Sequence, residues 1–157
     1  EVLALVKVRY PLFRLAIMGV GDPPTENLFR EEVAKKDLGD NVVFLGYRTG
    51  KEKFDLIKSS KCFWFFSKTE SFGIALLEAV CSGLHAFAYD LPPFRSIYKN
   101  GEIQTFRMGD TEGISKKVMD LFETKDFDNK NGRLLLEKNS WGAIATIEYN
   151  ALKGLYD

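Results

Sequence analysis

The chain has 157 residues, of which 45% are hydrophobic and 28% charged, and this predicts one globular domain whose apolar core needs no disulfide or metal. Its 22 basic and 22 acidic residues give a formal net charge of zero, which argues against nucleic acid or an anionic membrane as the main partner. A single His and two Cys argue against zinc, haem and Ser-His-Asp chemistry.

The start of the chain predicts an apolar helix and no targeting segment. Val2, Leu5 and Val6 follow Glu1 at helical spacing, and Pro11 ends the element. Neither a signal peptide nor a transmembrane run of about 20 apolar residues is evident, which favours a cytoplasmic protein. We expect residues 1–157 to be a single domain taken from a longer chain; a complete protein whose Met was lost is the alternative.

Further elements alternate between short apolar runs and helix-length patterns. Strands are predicted over 14–19, 42–46, 62–67, 84–89 and 102–107. Helices are predicted over 26–36, capped by Thr25 and stopped by Gly39, and over 51–59, 72–81, 112–122 capped by Asp110, 133–139 and 141–156. Strands that alternate with helices through short connections predict an α/β fold, a Rossmann-like doubly wound parallel sheet flanked by helices. Ligands bind such sheets at the carboxyl ends of their strands.

The segment from Ser67 to Glu78 joins the third predicted strand to the next helix and carries the most chemistry. Gly73 permits a close backbone approach to a ligand, and the helix start offers unpaired N–H groups suited to a diphosphate. On a fully helical path Glu70 and Glu78 would lie ~12 Å apart, too far to share a proton but suited to hydroxyls at two ends of a sugar nucleotide. Alternatively, Glu70 is an ordinary helix-start carboxylate and Glu78 a charge on an apolar helix, and these arguments leave both interpretations open.

Segment 67–83 resembles the signature of the retaining GT-B glycosyltransferases of family four, in which two Glu are separated by seven residues. The matching residues are Ser67, Glu70, Phe72, Gly73, Leu77, Glu78, Ala79 and Gly83. Segments 15–21 and 41–47, the Gly109-Asp110 pair and Trp141 resemble the family as well. The resemblance implies one half of a GT-B fold, namely the C-terminal, donor-binding domain.

That resemblance implies transfer of a sugar, of hexosyltransferase type, from a nucleotide diphosphate sugar to an unknown acceptor with retention. It places the acceptor domain and the first strand of the donor domain, with the family's diphosphate-binding Arg and Lys, before Glu1. We therefore expect the N-terminal domain of the parent chain as a partner, with peripheral membrane association through that domain, and no activity from this fragment alone. The resemblance implies no cofactor and no metal, since no paired Asp motif is present.

Individual roles also follow from the resemblance. Glu70, the catalytic candidate, would contact the hydroxyls of the donor sugar, and Glu78 those of the ribose. Segment 71–74 would approach the sugar and phosphates, segment 46–48 would border the base, and segment 19–21 would line the cleft. The complete set of candidate donor-binding residues is Gly19, Gly21, Tyr47, Arg48, Glu70, Ser71, Phe72, Gly73, Ile74 and Glu78.

Several positions depart from the family pattern. Ser71 stands where the family has Gly, and His85 stands where it has Pro; we interpret His85 as a strand-start residue. Pro92-Pro93 replaces a Gly-Gly pair, which removes backbone N–H donors, and Ser96 replaces a Glu. These departures favour one alternative to the glycosyltransferase, a non-catalytic sugar-nucleotide-binding or scaffold module of the same fold. A nucleotide-sugar epimerase of the same architecture is a further alternative.

Overall fold

The computed structural model describes residues 1–154, without the side chains of Lys138 and Trp141, so the end of the helix predicted over 141–156 lies outside the described residues. The chain divides into two compact units. The first unit comprises Glu1–Leu56 and Gly109–Asp126, and the second unit comprises Ile57–Met108 together with the chain from Phe127 onward.

Helices and strands alternate along most of the chain. The helices are α1 (Val2–Arg9), α2 (Pro23–Lys35), α3 (Gly50–Ser59), α4 (Ile74–Cys81), α5 (Pro92–Ile97), α6 (Thr111–Thr124), α7 (Lys130–Lys138) and α8 (Trp141–Lys153). The strands are β1 (Leu15–Met18), β2 (Val42–Gly46), β3 (Cys62–Phe65), β4 (His85–Tyr89) and β5 (Gln104–Phe106), and a short 3-10 turn, Gly39–Asn41, precedes β2. Within the described residues, no helix is long and apolar enough to cross a membrane.

The strand pairings are parallel. In the first unit β1 pairs with β2, with Leu15 opposite Val42 and a register shift between Ile17 and Met18. In the second unit β4 lies between β3 and β5, with Cys62 opposite His85 on one side. Parallel strands joined through helices confirm the predicted Rossmann-like α/β class.

The start and end of α2 differ from the prediction. Asp22, not Thr25, caps the helix: the Thr25 N–H donates to Asp22 Oδ1 at 3.1 Å. The helix begins three residues earlier than expected because two Pro occupy its first two positions, where a backbone N–H has no helical partner. It ends at Lys35, before Gly39, because Asp37 adopts a left-handed conformation with φ 52°.

Other boundaries shift for local reasons. Strand β3 ends at Phe65 and not at Ser67, and α4 begins at Ile74 and not at Phe72 because Gly73 is left-handed, with φ 78° and ψ 57°. Helix α7 begins at Lys130 and not at Arg133, because the side chain of Asn129 caps it. Helix α5, which the sequence analysis did not predict, begins with two consecutive Pro.

The core of the second unit forms where α4 packs on the sheet. Residues Leu76, Ala79 and Val80 of α4 are fully buried, at the spacing of one helix face. The buried cluster that contains this face is made of Leu76, Val80, Ala86, Ala88, Leu91, Phe94, Tyr98 and Leu135. Because the inner face of α4 is anchored in this cluster, the first turn of α4 has a defined position within the second unit.

The core of the first unit includes the packing of α1 on α6. Val6 of α1 and Val118 of α6 are fully buried. The ring of Phe122 lies 5.7 Å from that of Tyr10 and 5.1 Å from that of Phe13, measured between ring centroids. The helix predicted at the start of the chain is thus part of a packed core.

Candidate functional site

The loop between β3 and α4 carries the catalytic candidate. The hydroxyl of Ser67 donates to the carbonyl of Thr69 at 2.9 Å and closes the loop just before Glu70. Glu70 is half-buried. Among the residues that the structure describes, none forms a hydrogen bond or an ion pair with its carboxylate. A partly buried carboxylate in this condition can accept hydrogen bonds from a ligand.

The N-terminus of α4 follows directly. Gly73 is buried and is the N-cap residue, and no side chain caps the helix there. The Leu77 N–H donates to the Gly73 carbonyl at 3.1 Å, as the first intrahelical bond at this end. The first-turn N–H groups therefore have no intrahelical acceptor, and they concentrate the positive end of the helix dipole at the end of the Glu70 loop.

Two apolar side chains flank Gly73 on the surface. Phe72 is exposed, and Ile74 keeps 67% of its accessible surface. Ser71, where the family pattern has Gly, is exposed as well. Exposed residues thus lie on either side of a buried Gly73, and the donor-binding role of segment 70–74 stays a prediction.

Glu78 lies further along α4. It comes two positions after Leu76, about 200° around the helix axis, so it is on the side of the helix away from the buried face. It is half-buried, and its carbonyl accepts a bond from the hydroxyl of Ser82 at 2.7 Å. The fully helical path that the sequence analysis used between Glu70 and Glu78 is wrong, because the helix begins only at Ile74.

The remaining candidates belong to the first unit, where β1 and β2 end. The Gly19 N–H donates to the Gly46 carbonyl at 2.9 Å, and both glycines have positive φ, of 131° and 67°. Gly21 faces open space. These glycines turn the chain after two neighbouring parallel strands.

Tyr47 and Arg48 follow β2 directly. Tyr47 is 69% exposed, whereas Arg48 is half-buried and its Nε lies 2.8 Å from Glu52 Oε1. Arg48 Nη1 also donates to the Tyr47 carbonyl, at 3.0 Å. The structure therefore groups residues 70–74 with Glu78 in the second unit, and residues 19, 21, 47 and 48 in the first.

The departures from the family pattern have local structural roles. Pro92 and Pro93 are the first two residues of α5, and Asp90, just before them, pairs with Arg95. The hydroxyl of Ser96 donates to the Pro93 carbonyl at 2.7 Å. Sequence reasoning missed α5; the signal that could have found it is the Pro-Pro pair, since Pro is favoured in the first helical turn.

The His and Cys residues fit structural positions. His85 is the first residue of β4, as the sequence analysis interpreted it. Burial raises the pKa of the Cys62 thiol to about 12, so that the thiol stays protonated at neutral pH. In the described part of the chain, no group of three or more His, Cys, Asp or Glu could hold a metal ion. The expectation of no metal and no cofactor stays a prediction.

Comparison with known proteins identifies relatives across nearly the whole chain. Residues 1–135 match the family model described as glycosyl transferases group 1. The sulfoquinovosyl transferase of Arabidopsis thaliana is 31% identical over 155 residues, covering 93% of this chain and 29% of that protein. The GDP-mannose:cellobiosyl-diphosphopolyprenol alpha-mannosyltransferase of Xanthomonas oryzae is 29% identical over 136 residues, covering 83% of this chain and 36% of that protein.

A solved structure matches the fold. The sucrose-phosphate synthase of Thermosynechococcus elongatus aligns with a TM-score of 0.83 at 19% identity, over 99% of this chain and 41% of that one. The chain thus spans about a third of the length of the curated relatives it matches. Together with the parallel α/β fold, the family match confirms the resemblance to GT-B glycosyltransferases, and the chain belongs to the family of glycosyl transferases group 1.

Proposed function

We propose that this chain is the donor-binding part of a glycosyltransferase that moves a hexosyl group from a nucleotide diphosphate sugar to an acceptor with retention. The observation that carries the proposal is the segment around Glu70. Glu70, a half-buried carboxylate without a partner among the described residues, lies in the loop just before Gly73, the N-cap of a helix that no side chain caps. This pairs an acceptor for sugar hydroxyls with donors for a diphosphate.

In the proposed reaction, the bond between the sugar C1 and the diphosphate oxygen breaks, a bond from C1 to the acceptor oxygen forms, and the proton of the acceptor hydroxyl passes to the leaving diphosphate. Negative charge develops on the leaving diphosphate. The first-turn N–H groups of α4 would stabilise that charge, since they are already oriented and need no rearrangement. Glu70 would hold hydroxyls of the transferred sugar, and Glu78 those of the ribose, so that catalysis depends on position and electrostatics.

The names of the relatives suggest which donors to test. One is a sulfoquinovosyl transferase and another uses GDP-mannose, so both glucose-like and mannose-like hexoses are reasonable probes. We further propose that the protein is cytoplasmic, acts in carbohydrate biosynthesis and needs no cofactor or metal. Its partner would be an N-terminal domain of the parent chain, through which it would associate with the membrane. The acceptor is left open.

The experiment uses the whole protein and two substitutions, Glu78→Gln and Glu70→Gln. Calorimetry measures binding of UDP, GDP, UDP-glucose and GDP-mannose, and release of free nucleotide measures donor turnover. Because a hydrogen bond to a charged group contributes about 1.5–3 kcal/mol, Glu78→Gln should weaken binding of the bare nucleotide by roughly ten- to a hundredfold. Glu70→Gln should lower turnover more than nucleotide affinity, since its proposed partner is the sugar.

A matched control is Glu137→Gln, on the exposed surface of α7 in the same unit, which should change neither quantity. Normal binding and turnover in both site variants would contradict the assignment of Glu70 and Glu78. Absence of binding to every probe by the wild-type protein would contradict the donor-binding proposal itself.

A non-catalytic sugar-nucleotide-binding or scaffold module is the second candidate, and Pro92 and Pro93 favour it. Where the family pattern has two Gly, these residues supply no backbone N–H to a phosphate. This candidate predicts that the protein binds a nucleotide but releases no free nucleotide from the sugar donors. Measured turnover of any of the donor probes would exclude it.

A further inference from the structure

The backbone of Gly73 is enclosed by two aromatic rings. A Cβ built on Gly73 would lie 3.1 Å from Phe94 Cε1 and 3.3 Å from Phe65 Cε1. Carbon atoms pack best at about 3.5–4.0 Å, so a side chain at this position would require the rings to move by a few tenths of an ångström. Phe65 is the last residue of β3 and Phe94 is on α5. Two elements other than α4 therefore contact the N-cap position of α4.

The rings of Phe65 and Phe94 also pack against each other. The ring centroids of Phe65 and Phe94 are 6.1 Å apart, with an interplanar angle of 54°. The ring centroid of Tyr98 lies 6.0 Å from that of Phe94. Phe94 is 1% exposed and belongs to the buried cluster that contains Leu76 of α4. In a close-packed core, a ring with these neighbours cannot shift without moving the elements around it.

The segment that carries Phe94 is itself restrained. Pro92 and Pro93 have their φ angles fixed by the pyrrolidine ring, and the ion pair between Asp90 and Arg95 closes the segment on either side of them. Phe94 therefore projects from a short, stiff helix start. The two Pro residues restrict the backbone next to Phe94, and packing places its ring beside Gly73.

We infer that Phe94 is a positioning residue for the donor site. Together with Phe65 it fixes the backbone of Gly73, and the backbone of Gly73 in turn fixes the position of Glu70 relative to the first turn of α4. This inference rests on the proposed donor-binding role of residues 70–74. Gly73 lies between Glu70 and the α4 N-terminus, so a rotation of its backbone moves the sugar-binding carboxylate relative to the phosphate-binding N–H groups. Sugar transfer needs the Glu70 carboxylate and the N–H groups of α4 in the correct relative position. Binding of a bare nucleotide needs only the N–H groups.

The test compares Phe94→Leu with Phe87→Leu in the whole protein. Phe87, on β4, is also 1% exposed, but its ring packs on Phe106 and is absent from the nearest neighbours of Gly73. Both variants lose the same side-chain volume from a buried position of the second unit, Phe94 inside the cluster that contains Leu76 and Phe87 outside it. Phe94→Met is made in parallel, so that the comparison stands if the leucine variant does not fold. Thermal unfolding measures the stability of each protein.

A displacement of about 1 Å can cost up to a hundredfold in rate. We therefore expect Phe94→Leu and Phe94→Met to lower the kcat of release of UDP from UDP-glucose, or of GDP from GDP-mannose, by roughly ten- to a hundredfold. Their Kd for UDP or GDP alone should change by less than about threefold, and both quantities should stay within about twofold for Phe87→Leu.

The inference is wrong if the Phe94 and Phe87 variants lower kcat by the same factor, or if the Phe94 variants weaken nucleotide binding as much as turnover. Both of those results leave the proposed function intact, because the wild-type protein still binds and turns over the probes. If the wild-type protein binds none of the probes, the proposed function fails and the positioning role of Phe94 fails with it.

Discussion

Asp90 and Arg95 form a two-point ion pair across the start of α5. Arg95 Nε donates to Asp90 Oδ1 at 2.8 Å, and Arg95 Nη2 donates to Asp90 Oδ2 at 2.7 Å. Asp90 does not cap the helix; the N-cap is Leu91, and Pro at the first two positions leaves fewer N–H groups to cap. The carboxylate after β4 is thus used to close the segment that carries Phe94.

The ion pair has a titration signature. The hydrogen bond from Arg95 holds the pKa of the Asp90 carboxyl below its ordinary value. Because the folded-state pKa is the lower one, the pair contributes stability above the unfolded pKa of about 3.9, and the contribution is lost as the pH falls through the folded value. Arg95→Gln should raise the pKa of Asp90 towards its ordinary value in a carboxyl NMR titration.

Arg107→Gln is the control for that titration, since Arg107 is another exposed arginine of the second unit. It should leave the pKa of Asp90 unchanged. An Asp90 pKa that is the same in the wild-type protein and in the Arg95→Gln variant would show that the pair does not persist in solution.

The cap of α6 gives a second prediction, on stability. The Gly113 N–H donates to Asp110 Oδ1 at 2.9 Å. Asp110→Ala leaves this N–H without its partner and should lower the free energy of unfolding by about 1 kcal/mol in urea denaturation. Asp110→Asn keeps a side-chain oxygen at the cap, so it should retain most of the stability. Equal losses in both variants would mean that the charge of Asp110, and not the hydrogen bond that its oxygen accepts, stabilises the start of the helix.

Much of the fold could be predicted because the apolar runs are long and contiguous. The runs at 42–46, 62–67 and 84–89 all contain strands. In β4, Ala86, Phe87 and Ala88 are buried, as expected of a strand that is covered on both faces. The cap at Asp110 was also predicted, because an Asp directly before a helix-length pattern indicates an N-cap.

Other features depend on information that no local pattern holds. Alternation of strands and helices predicts parallel strands, but it does not say that the hydrogen bonds form one ladder of β1 with β2 and another of β3, β4 and β5. Gly73 is left-handed, and the ring that lies where its side chain would be belongs to Phe94, 21 positions along the chain. In the candidate site, the residue types could be predicted from the motif, whereas the aromatic enclosure of Gly73 needed the tertiary structure.

Gly73→Ala is predicted to destabilise the protein. A side chain at φ 78° is strained, and its Cβ would lie 3.1 Å from a ring of the buried core. Such strain costs on the order of 1–3 kcal/mol, which chemical denaturation can measure. Gly142→Ala is the matched control, because Gly142 is in α8 with nothing within 4 Å of the added Cβ. It should stabilise the helix by up to about 1 kcal/mol. A loss from Gly142→Ala as large as that from Gly73→Ala would contradict the argument.

Asn129 makes the last prediction, because its buried side chain joins three parts of the second unit. Its Nδ2 donates to the carbonyls of Leu84 at 3.0 Å and Glu102 at 2.7 Å, and its Oδ1 accepts from the Gly132 N–H at 2.9 Å. Asn129 is 4% exposed, so water cannot replace these partners. The side chain links the start of β4, the approach to β5 and the first turn of α7.

Asn129→Ala removes all three bonds and leaves two carbonyls and one N–H without their partner. At a net contribution of about 1 kcal/mol for each bond, the free energy of unfolding should fall by about 3 kcal/mol in urea denaturation. Asn131→Ala is the matched control, since Asn131 is exposed and its Nδ2 makes one bond, to the Asn100 carbonyl at 2.9 Å. That variant should lose less than about 1 kcal/mol, because water can take the place of the amide. If the free energy of unfolding falls by the same amount in both variants, burial does not determine how much these hydrogen bonds stabilise the protein.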